Sequence, residues 1–142
     1  MTRTNSDDVG FLLAKALRRF NERLTAAFAV RGFEEIRPSY GSVLMPLFRE
    51  DDLRLSDVAA LAGLSKQAIT GIVKLCEQDG LVIRERDPSD GRAYRLRLSD
   101  KGRDFRTVAE AVLADLDHEL VRSLGPGDHA ALKRALKGVS DL

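Results

Sequence analysis

Five arginines, Arg84, Arg86, Arg92, Arg95 and Arg97, crowd around the segment Asp87-Pro88-Ser89-Asp90-Gly91. A guanidinium presents a planar fork of donors and keeps its charge, so this cluster suits phosphate oxygens and narrow grooves of negative potential. Arg92 follows Asp-Gly at a turn, where its side chain can reach a minor groove. Asp90, two residues earlier, is placed to brace that arginine while DNA is absent. Arg84, Arg86, Arg95 and Arg97 flank it as candidate phosphate contacts. A second set precedes it: Ser65, Lys66, Gln67 and Thr70 supply donors and acceptors of the kind that read base edges. Gln pairs with adenine, Lys with guanine or phosphate, and a hydroxyl with either. Gly71 would let backbone lie close to DNA, and Lys74 is placed for a phosphate.

Residues suited to catalysis are not grouped. His118 and His129 are separated by a helix break without ligand spacing, and both are expected at the surface. There is no Gly-Lys phosphate loop and no Cys/His nucleophile pair. Asp87 and Asp90 hint at a cation loop, but the remaining oxygen positions of a calcium loop are missing. No enzyme activity, cofactor or metal is expected. Cys76, the single cysteine, shares a helical stripe with Ile69, Ile72 and Val73 and reads as a small buried hydrophobe. One cysteine also excludes a disulfide framework within the chain.

The 142 residues make one ordinary domain, 44% hydrophobic and 32% charged. No apolar run suits a membrane span, and the start, MTRTNSDDVG, lacks signal-peptide character, so the cytoplasm is the expected compartment. Lys and Arg number 23 against 22 Asp and Glu, a net charge of +1 that argues against nucleic acid if taken globally. Locally the picture differs. Arg92, Arg95, Arg97, Lys101 and Arg103 face only Asp100 within their segment, and the balancing acids are expected elsewhere, in Glu50-Asp51-Asp52 and the C-terminal helices.

The elements that position these residues follow from periodicity. Residues 7–31 predict an amphipathic helix with Leu13, Leu17, Phe20, Leu24 and Phe28 on one face, Ser6 as N-cap and Gly32 as stop. A break at Arg37-Pro38-Ser39 leads to a helix near 39–49, which Pro46 should kink or end early. Ser56 and Ser65 each precede a helical pattern as N-caps, with Gly63 at the bend between. Val58, Ala62, Leu64, Ile69 and Ile72 are apolar where the two helices should pack. After Gly80 the pattern alternates: Leu81–Arg86 and the strand bearing Tyr94, Leu96 and Leu98 form a β-hairpin. Ser99 caps a helix to about Leu124, with Phe105, Ala109, Val112, Leu116, Leu120 and Leu124 in one stripe. It spans roughly 36 Å, longer than a small core covers. After Gly125-Pro126-Gly127, a final helix carries Leu132, Ala135, Leu136 and Val139. Two short helices and a hairpin outline a winged helix-turn-helix, giving a mainly α fold with a small β wing (α+β). The single domain 1–142 divides into N-terminal helices 7–49, a winged core 53–99 and C-terminal helices 100–142.

The wing carries a specific resemblance. Asp90-Gly91-Arg92-Ala93, then four residues, then Leu98-Ser99 with Gly102 shortly after, resembles the signature of MarR-family regulators, with Ser99 for the usual threonine. That resemblance implies a homodimeric regulator, usually a repressor, on a pseudo-palindrome of double-stranded DNA. It also implies dimerisation through the first and last two helices, which agrees with apolar terminal helices that lack a partner in the chain. Many relatives release DNA when a small aromatic ligand binds between the dimer helices and the winged core. Arg37 and Tyr40 lie near that junction by chain order and are the candidate contacts, against a structural role for each. Some relatives sense oxidants through a cysteine near the start of the first helix; this chain has none there. The competing reading is a winged helix used only for protein interaction, which leaves Gln67, Thr70 and Arg92 without a common purpose.

Overall fold

In the first helix, α1 (Val9–Val30), the Asp8 side chain accepts the Phe11 amide and closes the N-terminus. A computed structural model describes residues 7–142, so the expected cap Ser6 lies outside the described residues. Gly32 takes φ +89° beyond the helix end, the left-handed conformation that a non-glycine residue resists. A 3₁₀ turn, Pro38–Tyr40, leads into α2 (Gly41–Arg49). Pro46 does not end α2 early: the helix runs on to Arg49, and Glu50 N–H still bonds Pro46 O at 3.1 Å. Pro46 costs the helix one hydrogen bond, but Val43, Leu44 and Leu47 are buried on both sides of it and hold the backbone helical.

The strand β1 (Leu53–Arg54) is an element the alternation pattern did not reveal, being only two residues long. It pairs antiparallel with β3 (Asp90–Leu98), which pairs with β2 (Val82–Asp87), so the expected hairpin is two strands of a three-stranded sheet ordered β1-β3-β2. Because β1 runs straight into α3 (Leu55–Ala62), the N-cap is the extended Arg54 and Ser56 lies inside the helix rather than capping it. Gly63 takes φ +68° at the bend, as its position predicts, and Ser65 Oγ accepts Ala68 N–H at 3.1 Å to cap α4 (Lys66–Gln78).

Val58, Ile69, Val73, Cys76, Leu81, Leu96 and Leu98 are fully buried where α3, α4 and the sheet converge. Leu64 departs from its expected packing role and stays exposed beyond the turn, while Ala62 and Ile72 are half-buried. Phe28, Phe33 and Phe48 surround Phe105 at ring separations of 4.8, 5.1 and 6.1 Å. Phe105 lies on α5 (Asp100–Leu124), whose start Ser99 caps through Gly102 N–H at 3.0 Å. Gly102 is required there: an added Cβ would sit 2.1 Å from Leu81 O.

The chain forms two compact units, the first ending at Val108 and the second Ala109–Leu142. In the second, Gly125 separates α5 from α6 (Pro126–Ser140). His129 is not the surface residue its spacing suggests. Its side chain is 12% exposed and its Nε2 lies 2.7 Å from Asp117 Oδ1, so it ties α6 to α5. His118 is exposed. No single helix among the described residues is long and apolar enough to cross a membrane.

Candidate nucleic-acid interface

On α4, Lys66, Gln67, Gly71 and Lys74 lie exposed along one side of the helix. Spacings of three and four residues put Gln67, Gly71 and Lys74 on one stripe. None of the Lys66, Gln67 and Lys74 side chains has a hydrogen-bond or ion-pair partner among the described residues, so their donors are available. Gly71 opens onto free space where a Cβ would stand. Thr70 Oγ1 donates to Lys66 O at 2.7 Å, leaving its lone pairs for an incoming donor. Ser65 uses its oxygen as the cap and keeps its O–H.

The wing arginines divide between the two faces of the hairpin. Arg86 pairs in register with Tyr94 and Arg84 with Leu96, so both arginines share the face of Tyr94, Leu96 and Leu98. Arg84 Nε lies 3.3 Å from Glu77 of α4, which fixes this face toward the helix. The Arg84 and Arg86 guanidinium groups lie over the Tyr94 ring, 4.9 and 5.5 Å from its centre. Arg86 also donates to Gly91 O at 2.6 Å.

Arg95 and Arg97 occupy the opposite face, and both are paired. Arg97 bonds Glu85 at 3.0 Å. Arg95 donates through Nε to Asp52 Oδ1 and through Nη2 to Asp52 O, both at 2.8 Å. Asp52 holds φ +67°, a conformation Asp tolerates better than most residues. These bonds raise the Arg95 pKa above its ordinary value, first through the Asp52 hydrogen bond. The acids of Glu50-Asp51-Asp52 are therefore not remote from the wing, as the charge pattern suggested. Asp51 also accepts Leu98 N–H at 2.8 Å and lies 3.7 Å from Arg103. A turn is far from the hairpin in sequence yet beside it once β1 pairs with β3.

Asp87 is the wing's buried charge, 4% exposed. Its Oδ1 accepts Ser89 N–H at 2.9 Å and Ser89 O–H at 2.8 Å, while Arg54 Nε stands 2.9 Å from Oδ2. The Ser89 bonds, ahead of the Arg54 and Arg95 charges, hold its carboxyl below the usual range. At the tip, Asp90 Oδ1 accepts the Arg92 backbone N–H at 3.0 Å. Asp90 thus braces the peptide of Arg92 and not its guanidinium, because a carboxylate reaches an amide two residues on more readily than a long side chain. The Arg92 side chain is exposed and has no partner among the described residues.

Sequence reasoning missed Arg54, Asp52, Glu77, Tyr94 and Asp87 as wing supports. Only Asp87 carries a local signal, since Asp-Pro-Ser is an Asx-turn sequence. The others depend on contacts made across long chain separations.

Tyr40 is buried, and its hydroxyl donates to the Asp79 carboxylate just past α4. Burial, then that bond, pushes its phenol up to about 12. Arg37 is exposed. Neither lines the open groove of about 730 Å³ formed by Leu17, Arg18, Asn21, Thr25, Ala29 and neighbouring α1 residues with Pro38. Cys76 is fully buried, and desolvation pushes its thiol up to about 12.

Comparison with known proteins adds likenesses of sequence and fold to this geometry. Residues 37–93 match the sequence model of the MarR family. The HTH-type transcriptional regulator BilQ of Clostridioides difficile (strain CD3) is 26% identical over 88 residues, 62% of this chain and 60% of BilQ. The chain thus spans less than two thirds of that relative's length. The transcriptional repressor CouR, solved bound to a 23-mer DNA duplex, superposes with TM-score 0.80 at 25% identity, covering 98% of this chain and 99% of CouR. A MarR-family transcriptional regulator from Rhodococcus sp. RHA1 superposes with TM-score 0.76 at 25% identity, covering 97% and 96%. The winged core thus matches the MarR family's sequence model, and the full length is similar in fold to winged helix-turn-helix regulators of that family.

Proposed function

We propose that this chain is a sequence-specific DNA-binding transcriptional regulator, acting as a homodimeric repressor on a pseudo-palindromic operator. The carrying observation is where the uncommitted donors lie. Lys66, Gln67 and Lys74 on α4 and Arg92 at the wing tip are open to solvent, while Arg84, Arg86, Arg95 and Arg97 are each bonded to a neighbouring group of the protein. An α4 major-groove contact and an Arg92 minor-groove contact use those open donors without breaking the supports. Ser65 and Thr70 add hydroxyls at the same helix end, and Arg86 keeps an uncompensated charge for a phosphate. Arg84 and Arg95 act chiefly by holding the wing. The CouR–DNA structure supports this reading by fold and by partner.

Dimerisation is supported by apolar side chains left open on α1 and α6, including Phe11, Leu17, Leu136 and Val139. A two-fold dimer would set the recognition helices roughly 34–36 Å apart, one DNA turn. Release by a small aromatic ligand completes the proposal, with the α1 groove beside Pro38 a better-shaped receptor than Tyr40, whose hydroxyl is committed to Asp79.

The test is selection of duplexes from a random library, followed by titration of the recovered duplex at two salt concentrations. Binding should be specific and weaken steeply with salt. A protein that recovers no motif and shows no salt-sensitive binding is a protein-interaction module instead.

A further inference from the structure

We propose that Tyr94 is the positioning residue of the wing, an aromatic platform that ties the backbone of the tip arginine to the recognition helix. This rests on the DNA-binding reading and adds to it a residue that touches no DNA. The peptide joining Gly91 to Arg92 is held at both ends. Arg86 donates to Gly91 O at 2.6 Å, and Asp90 accepts Arg92 N–H at 3.0 Å. Asp90 is local to the turn, so by itself it fixes the shape of the tip and not its place.

Arg86 supplies the place. Its guanidinium lies 5.5 Å from the centre of the Tyr94 ring, directly across the hairpin. The same ring receives Arg84 at 4.9 Å, and Arg84 is bound to Glu77 of α4 at 3.3 Å. Two cations so near each other repel. The ring's negative face attracts both, and the Glu77 carboxylate offsets one. A continuous path therefore runs from α4 through Glu77, Arg84, Tyr94 and Arg86 to the peptide of Arg92. The chemistry requires an aromatic face and does not require the phenol, which has no hydrogen bond among the described residues.

The wild type, Tyr94→Phe, Tyr94→Leu, Arg92→Ala and the Arg92→Ala/Tyr94→Leu double variant are titrated against the duplex that the wild type recovers from a random library. Hydroxyl-radical footprints report the minor-groove flanks. Tyr94→Phe should bind within about twofold of wild type and Tyr94→Leu about tenfold more weakly. Tyr94→Leu should also lose protection at the flanks while the major-groove bases keep theirs. On the Arg92→Ala background, Tyr94→Leu should add little, since the arginine it positions is gone.

Wild-type affinity and flank protection in Tyr94→Leu would overturn the assignment. So would equal loss in Tyr94→Phe, or full additivity with Arg92→Ala. If Tyr94→Leu does not fold by circular dichroism, Glu77→Gln decides: reduced flank protection supports the path, and unchanged protection overturns it. A wild type that recovers no duplex overturns the DNA-binding reading and this proposal together, a result distinct from all the others.

Discussion

Two arginines in the same strand, Arg92 and Arg95, look alike in sequence and have different work in the structure. Arg92 is exposed with no partner among the described residues, whereas Arg95 is bonded to Asp52 and faces Asp87. Arg92→Ala should therefore weaken binding to the selected duplex and leave the melting temperature unchanged. Arg95→Ala should lower the melting temperature, by leaving Asp87 and Asp52 less compensated, and weaken binding only as the wing loosens. Calorimetry and a binding titration on both variants separate the roles, and a reversed pattern would exchange them. Gln67→Ala is expected to relax base preference at one position of each half-site, by about 1–3 kcal/mol for a bidentate contact. Repeating the selection with that variant reads the change. The residue types and local spacing revealed Lys66, Gln67 and Arg92 because their availability is a surface property. Arg95 could not be separated from them, since its partner Asp52 lies 43 positions away along the chain.

The elements were legible wherever a period had room to repeat. α4, its Ser65 cap, the Gly63 bend and the β2–β3 hairpin all follow from local pattern. β1 was invisible because two residues show no alternation, and missing it misplaced both the α3 cap and the acidic turn. The same strand brings Arg54 to Asp87, whose carboxyl is held low first by the Ser89 hydrogen bonds and then by the Arg54 charge, so the wing should depend on pH. The folded pKa of Asp87 is depressed, so its contribution is fully present above the unfolded value of about 3.9 and is lost as pH falls through the folded value. Amide-exchange protection at Ser89 should hold steady above about pH 4 and fall on stronger acidification. Asp87→Asn should flatten that dependence and lower protection at neutral pH. Wild-type protection that stays constant below the carboxylate range would remove Asp87 from this role.

At the scale of the whole molecule, a net charge of +1 is the sum of two arrangements that local reading separates only in part. Acids at Asp51, Asp52, Glu77, Glu85 and Asp87 stand among the wing's cations, leaving Arg86, Arg92 and the α4 lysines without an acidic partner among the described residues. Non-specific DNA affinity should accordingly be modest, and a second copy becomes important because two half-sites multiply a limited contact set. Phe11 and Leu17 on α1, 54% and 60% exposed, and Leu136 and Val139 on α6, 42% and 44% exposed, are the surfaces that a second copy would cover. In a two-fold interface each side chain recurs on both partners, so one acidic substitution introduces two buried like charges. Light scattering of the wild type should give twice the 15.7 kDa chain mass, and Leu17→Glu combined with Leu136→Glu should give the monomer. That variant should retain its affinity for a single half-site, since Lys66, Gln67 and Arg92 are untouched, and lose the added affinity for the full pseudo-palindrome. A wild-type monomer at micromolar concentration, or a variant that stays dimeric with full operator affinity, would move the interface away from these helices.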